Sequence, residues 1–350
     1  MSSRALSVPG IGAGALPLGA FPVMLIGLLI AMLYAIGAGR FDVHWARIIE
    51  ILWLRAWDPT GHPETMDARI VELVRLPRVL LAALSGAALA VGGAALQGVF
   101  RNPLVSPQVL GISQGGAFGG ALAILLGYHG VVLLGMSFTF GLLALVLVGL
   151  LARINGRTEV LTVILAGMIV GAFFAALVSV LQFLADPNSS LPAIVYWLMG
   201  SFSTATWPRL GLAVPGMVIG LVMLWALRYR LNLLALEESE ARSLGVDPDR
   251  ERWFVFVAAT LMTGTSVAVA GVIGWIGLVI PHAARLIVGE DHRLLIPASA
   301  LLGATYLVLV DTLARTVTAA EIPLGVLTAL IGAPVFAVLL RRHFTRVGQP

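Results

Sequence analysis

The polar side chains that stand out within apolar stretches of this 350-residue sequence are Gln97, Gln182, Asp311 and Arg315. Asp311 and Arg315 are four residues apart, so on a helix they share a face and can pair. An ionised group inside a membrane span is costly and faces protein or water. A single Asp–Arg pair is a thin basis for proton coupling, and its place near the end of its span fits a structural pair or a surface charge. His282 has no second histidine or carboxylate nearby, and reads as a packing or capping residue rather than a metal ligand. The chain has no cysteine, which excludes thiolate metal sites, disulfides and cysteine nucleophiles. It also has no lysine. The Gly-Lys-Ser/Thr ending of a phosphate-binding loop cannot be made, so any ATP that drives this protein is bound by another polypeptide. Paired catalytic groups, as an intramembrane enzyme would need, are not found. No catalytic residue, metal site or cofactor is expected.

The elements that carry these residues follow from composition. Hydrophobic residues make up 59% of the chain and charged ones 11%, against about 25% charged in an ordinary soluble domain. With a mean hydropathy of +0.97, the solvent that suits this chain is lipid. Apolar stretches of roughly the 20 residues a span needs fall at 16–38, 78–100, 111–127, 131–152, 158–184, 210–227, 253–270, 275–288, 296–316 and 324–340. Ten spans in one all-α membrane domain are therefore expected. The first reads as a retained helix, preceded by Arg4 and without a small-residue cleavage site. A polar segment at 39–77 separates it from the second and reads as an outer loop. Arginines cluster in alternate connections, around Arg101, Arg153, Arg157, 228–252, Arg285, Arg293, Arg341, Arg342 and Arg346. By the positive-inside rule those connections and both termini are cytoplasmic. The net charge of +4 is spread between spans rather than gathered on one face, which argues against nucleic acid. A 178-residue shift aligns Gly86, Gly93, Pro103 and Gly111 with Gly264, Gly271, Pro281 and Gly289. It starts in the second and seventh spans, which run in opposite directions, and so suggests an inverted repeat.

The largest inner connection, 228–252, carries Leu233, Leu236, Ala241 and Leu244 at helical spacing with acids between them. Gly245 supplies a helix stop and Asp247-Pro248 a helix start. Two short helices outside the membrane are expected, as a solvated connector or as a docking surface for a cytoplasmic partner. At the inner end of the second span, Arg101-Asn-Pro103 and Pro107 break the helix, with Asn102 placed to cap the next turn.

The run Arg75-Leu-Pro-Arg78, then 86–97 (GAALAVGGAALQ), Arg101-Asn-Pro-Leu104 and Leu110-Gly-Ile-Ser113 resembles the iron-chelate, haem and cobalamin permeases of bacterial ABC importers. So do Tyr196-Trp-Leu-Met-Gly-Ser201, Ser243-Leu-Gly-Val246, 274–282 (GWIGLVIPH), Asp291-His-Arg293, Asp311-Thr-Leu-Ala-Arg315 and Glu321-Ile-Pro-Leu-Gly325. The resemblance implies the ten-helix fold of a type II ABC importer permease, with inverted repeats, in the bacterial cytoplasmic (inner) membrane. It also implies a homodimer, two separate ATP-binding subunits and a periplasmic substrate-binding protein. ATPase coupling would then fall on Leu236, Glu237, Glu240, Ala241, Arg242, Leu244 and Gly245. Binding-protein docking would fall on Arg75, Arg78 and Arg315, although Arg75 and Arg78 also suit headgroup anchors. The path or gate would involve Gln97, Asn102, Val160 and Leu161. Glu237 stands where such permeases commonly carry glycine, which puts the turn into the docking helix in question. A ferric siderophore-type chelate is the leading cargo; haem, cobalamin and a small oxyanion are the alternatives. An ion-coupled secondary transporter is the rival of another class; it calls for intramembrane carboxylates around a broken helix, and Asp311 is the candidate.

Overall fold

In lipid every backbone amide must be satisfied within the protein, and long apolar sequences do so as helices. The computed structural model describes residues 16–57, 65–154 and 157–347, and they are almost entirely helical. Arg4, residues 58–64 of the expected outer loop, and the side chains of Arg157, Arg342 and Arg346 lie outside the described part. Each expected span corresponds to a helix: Leu16–Gly37, Met66–Phe100, Ile112–Leu125, Val131–Ala152, Val160–Leu184, Trp207–Leu234, Pro248–Ala270, Ile276–Val288, His292–Thr316 and Leu324–Val347. Seven are long and apolar enough to cross a membrane, and Ile112–Leu125, Ile276–Val288 and Leu324–Val338 are shorter apolar helices. Residues Arg153–Ile154 pair antiparallel with Arg157–Thr158 in a minimal ladder.

Burial separates centre from periphery. The Met66–Phe100 and Pro248–Ala270 helices are buried over most of their length, whereas Leu16–Gly37 and Trp207–Leu234 are largely exposed. The centre is built from small residues, so backbones approach closely. A Cβ added at Gly93 would lie 2.6 Å from the Gly277 carbonyl carbon, and nearer still to its oxygen. A Cβ at Gly86 would lie 2.8 Å from the Gly303 carbonyl carbon. Exposed Leu, Ile, Val and Phe on the outer helices suit lipid or further subunits.

The expected outer loop at 39–77 is corrected. Trp45–Trp57 is a helix that buries Ile48 and Ile51 and exposes Trp45, Trp53 and Trp57. The second membrane helix begins at Met66, twelve residues before the expected start. Its turn at Ile70–Arg75 is a π-helix that ends two residues before Pro77. A π turn suits the place where proline supplies no N–H to the ladder. Two of the charges in this segment are satisfied inside the fold: Glu72 is buried, 3.8 Å from Arg55, and Arg75 bonds backbone carbonyls. Two helices are also longer or newly seen. Trp207–Leu234 outruns its expected span at both ends, and Ser190–Leu198 is an additional short helix.

The 178-residue register is not the register of the fold. It matches Pro103, in a turn, with Pro281, inside a helix. What recurs is the order of elements: a long buried helix, an irregular break and a short helix, at 66–125 and again at 248–288. Both breaks hold a non-glycine residue in the left-handed region, Arg101 (φ 48°) and Trp275 (φ 67°). Such backbone costs energy and persists only where its surroundings impose it.

Candidate functional site

The expected docking helix forms at Glu238–Ser243. Glu237 is its N-cap in extended backbone (φ −60°, ψ 148°). That conformation is open to any L-residue, so glutamate there requires no compensation. The far end closes with Gly245 at φ +79°, Gly245 N–H donating to Arg242 O and Val246 N–H to Ala241 O. This paired bonding around a left-handed residue is the Schellman arrangement, and explains the glycine. Ala241 is buried and seats the helix on the bundle, while Leu236, Glu237, Glu240 and Leu244 face outward. Arg242 binds Glu238 (2.9 Å) and Asp249 (3.1 Å), and both acids also approach Arg252, at 3.9 and 3.7 Å. The Glu238 carboxylate raises the Arg242 pKa through its hydrogen bond. The ion network therefore ties the short helix to the start of Pro248–Ala270. The sequence reading gave no role to Asp249 and Arg252, whose only signal was alternating charge in the 228–252 connection; Arg252 is in fact buried.

Two clefts open at this arginine-rich end. A cleft of about 340 Å³ lies between the docking helix and the start of Val160–Leu184, lined by Val160, Leu161, Glu159, Glu238, Arg252 and Arg101. The expected gate residues thus sit beside the docking helix. A wider cleft of about 870 Å³ takes in Gln97, Asn102, Asn232 and Arg285. Gln97 is buried at its floor, donating to Gly277 O (3.1 Å) and accepting from Arg285 (2.5 Å). Asn102 accepts from Leu104 N–H (2.9 Å), capping the turn as its type suggested. His282 lines the same cleft. No group of three or more His, Cys, Asp or Glu that could hold a metal occurs among the described residues. Asp291 caps the His292–Thr316 helix; hydrogen bonding to Arg293, and then to Asn232, holds its carboxyl down at about 2. A depressed carboxylate contributes its stability above the ordinary value near 4 and loses it as pH falls toward 2, so this cap stays ionised at any physiological pH.

At the opposite end the expectation of three exposed docking arginines is corrected. Arg75, Arg78 and Arg315 are all buried. Arg75 donates to the carbonyls of Ile36 (2.8 Å), Gly37 (2.9 Å) and Phe41, and Arg315 to those of Ala38 (2.5 Å) and Ala35. Three of these carbonyls, those of Ala35, Ile36 and Gly37, belong to the end of Leu16–Gly37, where the helix itself leaves them unbonded. Arg78 spreads its guanidinium over two carboxylates, Asp311 (2.9–3.1 Å) and Glu321 (2.9–3.0 Å). The i,i+4 pair inferred within one helix is secondary, with Arg315 Nε 3.8 Å from Asp311. Sequence spacing could not show that Arg78, from another helix, has the better geometry. Replacing Arg75 with Gln should lower stability by about 1–3 kcal/mol, the cost of carbonyls left without a donor, seen as a fall in Tm in detergent. An unchanged Tm together with weakened binding-protein association would return Arg75 to the docking surface.

The FecCD transport family matches residues 27–342. The chain belongs to the FecCD transport family. It is 44% identical over 325 residues to the molybdate import system permease protein MolB of Haemophilus influenzae, covering 91% of this chain and 96% of that one. It is 38% identical to the Fe(3+) dicitrate permease FecD of Escherichia coli, covering 91% and 99%. A solved metal-chelate type ABC transporter in an inward-facing conformation superposes with a TM-score of 0.82 at 40% identity, covering 93% of this chain and 99% of the other. This FecCD protein is therefore the multi-pass membrane permease of an ABC importer, and the ATPase activity belongs to a separate subunit. The intramembrane carboxylate that an ion-coupled transporter would use is already committed: Asp311 is bound to Arg78.

Proposed function

We propose that two copies of this chain enclose a path for a metal-centred solute delivered by a periplasmic binding protein, with ATP hydrolysis by two partner subunits transmitted through the 228–252 connection. The observation that carries this reading is the Glu238–Ser243 helix. It rests on the bundle through Ala241 with its other face exposed, is stapled to Pro248–Ala270 by ion pairs, and adjoins the cleft at Val160 and Leu161. A push on Leu236 or Leu244 is thereby passed to the start of Pro248–Ala270 and to the cleft beside Val160–Leu184. ATP biases such a device through contacts that differ between its two states. Both termini are cytoplasmic in this reading.

Leu244 is well exposed, so Leu244→Asp should leave insertion and Tm unchanged while separating the permease from its ATPase in detergent pull-downs. Intact co-purification and uptake would remove the helix from the coupling role.

The cargo we favour is a ferric siderophore-type chelate, supported by the resemblance of 186–197 (DPNSSLPAIVYW) to siderophore permeases and by the FecD relative. Molybdate is the second reading, favoured by the 44% identity to MolB. Uptake of radioactive iron chelate against radioactive molybdate, in cells carrying this permease with its own ATPase and binding protein, separates the two.

A further inference from the structure

The wider inner cleft is not used by the coupling reading. Its lining includes two guanidiniums, and each bonds only a neutral oxygen: Arg101 Nε to Leu234 O at 3.3 Å and Arg285 Nη1 to Gln97 Oε1 at 2.5 Å. Neither forms an ion pair with a carboxylate among the described residues. Of the acids in the lining, Asp291 is taken by Arg293 (2.6 Å) and Asn232 (2.7 Å). Glu290 is exposed at the rim. The cleft thus holds two guanidiniums without an ion-pair partner, although the Glu290 carboxylate at the rim is near enough to act on Arg285. Arg101 projects from left-handed backbone, a conformation that non-glycine residues keep where the surroundings demand it. Beside Arg285 on the same helix, Leu286 and Ile287 are exposed at 64% and 49%. Two guanidiniums opening next to bare apolar surface, at the inner end of membrane helices, suit an amphipathic anion. A guanidinium is also the side chain best matched to phosphate.

We propose that this cleft binds the phosphate headgroup of an anionic phospholipid from the inner leaflet, with Arg101 and Arg285 as the phosphate ligands and Leu286 and Ile287 against the acyl chain. Inorganic phosphate shares the headgroup chemistry but has no use for the two apolar residues, which is why lipid is the favoured source. The assignment does not depend on which solute the permease imports.

The test uses the full-length chain, delipidated in mild detergent and examined by native mass spectrometry with phosphatidylglycerol or phosphatidylcholine added. The wild type should retain phosphatidylglycerol about tenfold more strongly than phosphatidylcholine, as two arginines at a membrane surface would provide. Arg101→Gln with Arg285→Gln should erase the preference, and Arg285→Lys should keep part of it. Because the double variant could fail to fold, Glu290→Arg at the exposed rim supplies a second reading: it should raise phosphatidylglycerol retention. Equal retention of both lipids by the wild type, or no response to Glu290→Arg, overturns the proposal. Thermal protection by inorganic phosphate equal to that by phosphatidylglycerol overturns the lipid assignment. If added ATPase subunit displaces no phosphatidylglycerol, the lipid reading is supported; if it covers the cleft and releases the lipid completely, the surface belongs to the ATPase and the proposal falls.

Discussion

Replacing Arg78 with Met is expected to cost about 3–5 kcal/mol, the typical penalty for removing one partner of a buried ion pair, and to abolish the folded permease in detergent. Asp311 is almost wholly buried and its short contacts are to Arg78. Arg315, at 3.8 Å, is held by two carbonyls and is poorly placed to take over. The substitution therefore strands a carboxylate away from water. The same physics predicts non-additivity. Arg78→Met with Asp311→Leu leaves only Glu321, which is partly exposed and can be hydrated. The double variant should melt higher than Arg78→Met alone. Thermal unfolding followed by size-exclusion chromatography reads both; a double variant less stable than either single one would show that the network is not a closed pair.

Gly93 offers the second large effect. The group that a new Cβ would meet is the Gly277 backbone, which cannot rotate away as a side chain could. Gly93→Leu should cost at least the about 1–3 kcal/mol typical of overpacking, and even Gly93→Ala should lower Tm. Its neighbour is the control: a Cβ at Gly92 finds only Met262 and Pro107 side-chain atoms at 3.6 Å, so Gly92→Ala should be tolerated. The expected phenotype is lost folded protein rather than changed cargo. A well-folded Gly93→Leu permease with altered substrate preference would place this face on the path instead.

The Gly93 contact also shows how far sequence reasoning reaches. Small residues at 86, 90 and 93 mark a face for close helix approach, and the reading of that face needed no coordinates. That the approaching backbones are Gly303 at one level and Gly277 at the next came from the fold alone, since contacts across some 180 to 220 residues leave no trace in local periodicity.

Amino-acid order by itself determined the solvent, the placing of the apolar helices and the division of labour. Some 59% hydrophobic residues in ten stretches leave lipid as the surroundings, and a chain without lysine cannot build its own phosphate-binding loop. It also indicated the short helix at Glu238–Ser243, because amphipathic spacing and a terminal glycine are local signals. Tertiary structure decided the roles of the charges. Arg75, Arg78 and Arg315 read as surface cations because charge is costly in lipid and span ends are wet. They are buried because Asp311, Glu321 and the unbonded carbonyls of Leu16–Gly37 converge on them from distant parts of the chain. Pairing energy depends on distance between groups, and for groups more than 200 residues apart only the folded backbone sets that distance.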